Sequence, residues 1–233
     1  MTTKLQNIRW NLFQYKDRAL LLWGLKNGLI SPYSDELIEK LRTIYYGGLP
    51  ASVILLSNAM TNGHCYDSAL LLSRAFIDSD DEVNLLYGDV NYLKLNPKYI
   101  CNHPRYADHC FVERKTKDGK HMIYDTTSGL VYDKNLYWLM YHPKIRHTNN
   151  KESIIRFLDE DEQIHSNNIE NDKYASPILI NFLIETYGRP NEMYAANNIE
   201  LLQREIDFFK QSIKYDELVE EIDQDMKRLG FRH

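Results

Sequence analysis

Asp108-His109-Cys110-Phe111-Val112-Glu113-Arg114 has strand character, and a second such run, His121-Met122-Ile123-Tyr124-Asp125, follows it across Lys117-Asp118-Gly119-Lys120. Two short runs separated by an Asp-Gly turn signal read as an antiparallel hairpin. Side chains alternate between the faces of a strand, so the loop length decides which residues meet. A two-residue Asp118-Gly119 loop would set Asp125 across from Val112, on the opposite face from His109. A three-residue loop, Lys117-Asp118-Gly119 with Gly119 left-handed, sets Asp125 across from Phe111. His109 is then its diagonal neighbour on the same face, roughly 7 to 8 Å away at the backbone and within reach of a carboxylate. Pairing His109 with Asp125 therefore requires an odd-length loop.

Strand character extends to Val83–Val90 before the hairpin and to a short Leu130–Tyr132 after Thr127-Ser128-Gly129. Helical patterns surround these strands. Ile8, Leu12, Tyr15, Ala19 and Leu22 recur at spacings of three and four, predicting an amphipathic helix that ends near Gly28. Ser34 reads as the N-cap of a second helix, with Asp35 and Glu36 in its first turn and Leu37, Leu41 and Ile44 as its buried stripe. Pro50 to Met60 is ambiguous, and after Asn62-Gly63 the run Cys65–Phe76 predicts a third helix, apolar enough to be central. Ser176-Pro177, Gly188 and the run from Asn191 to Leu229 predict C-terminal helices, Leu201, Leu202, Ile206, Phe209 and Ile213 forming a stripe. The expected class is α+β, a Cys-bearing central helix on an antiparallel sheet. Residues 1–145 form the core with its N-terminal helices, 146–175 a polar linker or lid, and 176–233 a helical extension that packs on the core.

The 233 residues, 43% hydrophobic and 26% charged, suit a globular chain with a sizeable core. A net charge of −5 with no long basic run lacks the footprint of a dedicated nucleic-acid binder. Apolar runs such as Ala19–Trp23 fall far below the roughly 18 residues of a membrane span. The N-terminal stretch is broken by Lys16, Asp17 and Arg18, so a cytoplasmic protein is expected, with no membrane partner. Three cysteines, Cys65, Cys101 and Cys110, are an odd number in a chain of this size, which argues for free thiols over a disulfide framework.

A thiol becomes a nucleophile when a nearby imidazole and the positive end of a helix favour its ionised form. Cys65 opens a helix. His109 is the candidate base, and Asp125 the carboxylate that holds the imidazole's tautomer and steadies its cation. The Cys65 backbone amide and the side chain of Asn58 or Asn62 are candidate donors to an oxyanion. Zinc is the rival chemistry, since Cys101, His103, His109 and Cys110 lie close in sequence with His64 and Cys65 upstream. Adjacent His109 and Cys110 point to opposite strand faces, however, and no Cys-x-x-Cys is present, so no metal is expected.

Gly63-His64-Cys65-Tyr66-Asp67-Ser68-Ala69-Leu70-Leu71-Leu72-Ser73-Arg74-Ala75-Phe76, His109-Cys110-Phe111-Val112-Glu113 and Tyr124-Asp125-Thr126-Thr127-Ser128-Gly129 together resemble the transglutaminase-like core of the papain-like cysteine enzyme superfamily. The resemblance covers residues 60 to 132. Phe111 and Thr126-Thr127 stand where that family often carries Trp and Pro. The resemblance implies that Cys65 attacks a carbonyl, His109 is the base and Asp125 orients it, without metal or organic cofactor. It implies hydrolysis of an amide bond in a peptide or protein. The alternatives are acyl transfer to an amine and a non-catalytic binding module on the same fold.

Overall fold

The computed structural model describes residues 20, 23–46, 49–51, 54–55, 65–90, 107–167 and 215–231. In chain order these form β1 (Ile30–Pro32), α1 (Asp35–Thr43), the short strands β2 (Tyr45–Tyr46) and β3 (Leu49–Pro50), α2 (Cys65–Arg74), β4 (Glu82–Val90) and β5 (Ala107–Lys115). They continue with β6 (His121–Asp125), β7 (Leu130–Asp133), α3 (Lys134–Tyr141), β8 (Lys144–Asn150), α4 (Lys151–Asn167) and α5 (Tyr215–Arg228). Six strands make one antiparallel sheet in the order β1-β7-β6-β5-β4-β8, while β2 and β3 pair apart from it. The class is mixed α+β.

Strand alternation sends Val83, Leu85, Cys110, Val112, Tyr124 and Val131 to one face of the sheet. On that face α1, α2 and α4 bury Leu37, Leu41, Ala69, Leu72, Ile154 and Leu158. The other face carries Leu86, Phe111, Ile123, Leu130 and Tyr132, covered by Trp23, by Leu136 and Met140 of α3 and by Ile222 and Met226 of α5. Each aliphatic side chain fully buried this way contributes about 1.5–3 kcal/mol, so two helical layers around one sheet give two half-cores.

Local chemistry fixes the ends of these elements. Ser34 Oγ accepts from the Leu37 amide at 3.2 Å and starts α1, with Asp35 and Glu36 against the positive end of the helix. Asp133 caps α3 in the same way, accepting from the amides of Asn135 and Leu136 at 2.9 and 3.2 Å. The β5–β6 loop has three residues. The Thr116 amide donates to the Lys120 carbonyl at 2.9 Å across Lys117-Asp118-Gly119, and Gly119 takes φ 83°, which a side chain would resist. The register that follows pairs Val112 with Tyr124 and Glu113 with Ile123. Continued by one pair, it sets Asp125 opposite Phe111.

The stretch 146–175, expected as a polar linker or lid, is through residue 167 a strand and a helix of the fold. The 145/146 boundary falls inside β8, which pairs with β4, and α4 buries Ile154 and Leu158 against α2's side of the sheet. Two properties disguised it. β8 is an edge strand with mostly exposed side chains, so apolar alternation is absent, and α4 carries a narrow stripe behind exposed Asp159 and Glu160. Residues 168–175 lie outside the described residues, as do residues 5–19, 21 and 22 of the helix expected from Leu5 to near Gly28 and the stripe from Leu201 to Ile213. At the C-terminal end the Trp23 indole donates to Asp223 Oδ1 at 3.3 Å and meets the Phe231 ring edge-on at 6.3 Å. Among the described residues no helix is long and apolar enough to cross a membrane.

Gly88 sits across from His109 on β5 and Ile145 on β8, where the β4–β8 register shifts. A Cβ there would collide with the Lys144 carbonyl and lie 2.9 Å from Ile145 Cα, both of them backbone. Gly88→Ala is therefore expected to lower unfolding free energy by about 1–3 kcal/mol in urea titration, the range for overpacking a site that cannot give way. Unchanged stability would show that β8 is free to move off β4.

Candidate active site

Three elements bring their ends together at one edge of the hairpin: Cys65 opens α2, His109 lies on β5 and Asp125 closes β6. His109 Nε2 stands 3.2 Å from Asp125 Oδ2, and the two side chains are 2% and 1% exposed. The His109 side chain also hydrogen-bonds the half-buried Cys65 thiol, and the Cys110 backbone N–H donates to the same sulfur. The structure thus brings together all three residues singled out in the sequence. Asn58 and Asn62, the candidate oxyanion donors, lie outside the described residues, as do His64, Cys101 and His103. Among the described residues no group of three or more His, Cys, Asp or Glu is placed to hold a metal ion.

Burial opposes charge at both reacting groups, raising the thiol and lowering the imidazole. At Cys65 the His109 hydrogen bond and positive charge, with the Cys110 amide, overcome burial and hold the thiol below its ordinary value. At His109 the charge and hydrogen bond of Asp125, joined by those of Cys65, overcome it and raise the imidazole to about 9. Both shifts favour a thiolate beside an imidazolium over the neutral pair. Cys110 behaves oppositely: burial first, then the negative charge of Cys65, push its thiol far above the ordinary range.

Asp125 divides its oxygens. Oδ1 accepts from the amides of Thr127 and Ser128 at 2.9 and 3.2 Å, and the Gly129 amide donates to the Asp125 carbonyl at 2.9 Å, closing the β6–β7 turn. Oδ2 faces His109 and accepts from the Tyr137 hydroxyl at 2.9 Å. The same carboxylate therefore caps a turn and orients an imidazole.

Tyr137 escaped the sequence reading. Its signal was present, since Asp133 followed by Leu136, Tyr137, Met140 and Tyr141 is a capped helix with a buried stripe, but nothing in that pattern says which residue the hydroxyl meets. Around it Tyr132 and Tyr141 place their hydroxyls 3.2 Å apart, and Tyr33 is buried near Asp125. Burial, then the Asp125 charge, drives the phenols of Tyr33 and Tyr132 upward, so both stay neutral.

Asp125→Asn keeps an acceptor for the turn and removes the charge, so His109 is expected to fall toward its ordinary 6.5, and the Cys65 thiol to rise as it loses the cationic imidazole, a larger effect than relief from the Asp125 charge that itself disfavours the thiolate. Asp125→Ala removes the acceptor as well and is expected to cost about 3–5 kcal/mol in urea unfolding, as when one partner of a buried pair is deleted. The pH dependence of Cys65 alkylation separates these effects: a profile unmoved in Asp125→Asn would mean the carboxylate serves the turn alone. No protein-family description, curated protein or solved structure matches this chain.

Proposed function

We propose that the chain is a cysteine-nucleophile acyl-transfer enzyme that hydrolyses an amide bond in a peptide or protein. The observation that carries this reading is the buried His109, bonded to the Cys65 thiol and standing 3.2 Å from Asp125. The order of helix Cys, strand His and strand Asp, with the helix laid on an antiparallel sheet, supports a transglutaminase-like core of the papain-like type.

In this mechanism the Cys65 thiolate attacks the carbonyl carbon, and the Cys65 backbone amide is a donor for the oxygen that becomes negative. His109, cationic at neutral pH, gives its proton to the departing amine as the tetrahedral species collapses to a thioester. Neutral His109 then takes a proton from water, which attacks the thioester, and the Cys65 sulfur leaves as a thiolate beside the restored imidazolium. Asp125 keeps Nε2 directed away from the sulfur throughout, and Tyr137 fixes Oδ2. Replacing water by an amine in the second half gives acyl transfer with the same groups.

The test is iodoacetamide alkylation of each cysteine across pH, read by peptide mapping in the parent and in His109→Ala. Cys65 is expected to react well below the free-thiol value of about 8.5, and to lose that advantage in the variant, while Cys110 stays inert. A Cys65 that titrates as a free thiol in the parent overturns the reading. On a cleaved amide substrate, kcat/KM is expected to rise as Cys65 ionises and to fall as pH passes about 9, where His109 gives up the proton the leaving amine needs.

A further inference from the structure

We propose that Cys65 and Cys110 close a reversible disulfide when a hydroperoxide oxidises Cys65, switching the site off. The inference rests on the activated Cys65 of the reading above and extends it to the regulation of that site. Hydrolysis uses only the backbone amide of Cys110, so its thiol has no part in that mechanism. Cys110 follows His109 on β5, and alternation sends it to the opposite face from the imidazole, the face that α2 covers. Cys65 opens α2 and packs against the same cluster in which Cys110 is buried. The Cys110 N–H donates to the Cys65 sulfur, so the two sulfurs are separated by one hydrogen bond and the bonds from N to Sγ within residue 110. A disulfide needs Cβ atoms about 3.5–4.5 Å apart, so closure requires the first turn of α2 to come that close to β5, with χ1 of the two residues turning the sulfurs toward each other.

The chemistry balances with one equivalent of hydroperoxide. The Cys65 thiolate attacks the terminal peroxide oxygen, forming S–O and breaking O–O, and the alkoxide or hydroxide leaves with the proton of His109. Cys65 is then a sulfenic acid. The Cys110 sulfur attacks it, forming S–S and breaking S–O, and hydroxide departs with the Cys110 proton as water. Two thiols are oxidised and the peroxide is reduced to an alcohol, or water, plus water. Because burial keeps Cys110 protonated, the second step is slower than between exposed thiols, and a dithiol reductant restores both groups. Closure consumes the nucleophile, and it shields Cys65 from irreversible sulfinic and sulfonic oxidation.

The test treats the full chain with hydrogen peroxide, then maps peptides without reduction, alongside iodoacetamide labelling before oxidation and after dithiothreitol. The expected result is a Cys65–Cys110 cross-linked peptide, loss of Cys65 alkylation, and its return on reduction. In Cys110→Ala the cross-link is lost, and dimedone captures a sulfenic acid at Cys65. A parent in which oxidised Cys65 is sulfenic, sulfinic or joined to Cys101 while Cys110 stays free overturns the switch, and this peptide map needs no variant. Labelling before oxidation keeps the two ideas apart. Fast alkylation at neutral pH without the cross-link fails the switch and leaves the acyl-transfer reading standing, whereas slow alkylation fails that reading itself.

Discussion

The carboxylate of Asp125 holds the site together because each of its oxygens has a separate task. Taking a carboxylate out of water costs several kcal/mol, and a charge at 1% exposure survives only if its lone pairs are filled. Among the described residues two backbone amides donate to Oδ1, and Tyr137 and His109 meet Oδ2. Hydrogen bonds to a charged group contribute about 1.5–3 kcal/mol each, so the set offsets the desolvation without help from solvent. The amides come from the turn that Asp125 itself nucleates. Folding of that turn and orientation of the imidazole are therefore one event.

Dryness amplifies this arrangement. Tyr33, Tyr132 and Tyr137 close around Asp125, burial keeps the phenols of Tyr33 and Tyr132 neutral, and the countercharge that faces the carboxylate is His109. In a low-dielectric setting that attraction is strong enough to reverse the penalty on a buried imidazolium, which then stabilises the thiolate of Cys65. Charge thus propagates from the turn to the sulfur through two hydrogen bonds. Removing a tyrosine from this shell would let water weaken both.

The hairpin with His109 and Asp125, and the helix that Cys65 opens, were legible in the sequence because each rests on a short-range rule. Strand alternation reduces the meeting of His109 and Asp125 to loop parity, Gly119 supplies the left-handed residue the three-residue alternative needs, and the observed register selects that alternative over the two-residue loop. Ser34 and the first turn of α1 were readable for the same reason. What stayed hidden was tertiary. β8 is recognised as a strand only by its bonds to β4, since its own residues, Lys144-Ile145-Arg146-His147-Thr148-Asn149-Asn150, show no apolar alternation. Tyr137 becomes a site residue only because α3 folds back over the sheet face on which His109 and Asp125 project.

The length of β6 is the last determinant. It stops at Asp125 because the carboxylate and carbonyl of that residue draw the next amides into a turn instead of a ladder. A β6 longer by two residues would pair with Cys110 and His109 and cover the flank of β5 on which the sulfur of Cys65 rests. With the ladder ended there, the start of α2 reaches the amide of Cys110 and the imidazole of His109, two adjacent residues whose side chains point to opposite faces. The residue that orients the base is thus also the one that leaves room for the nucleophile, so deleting its side chain perturbs access and chemistry together.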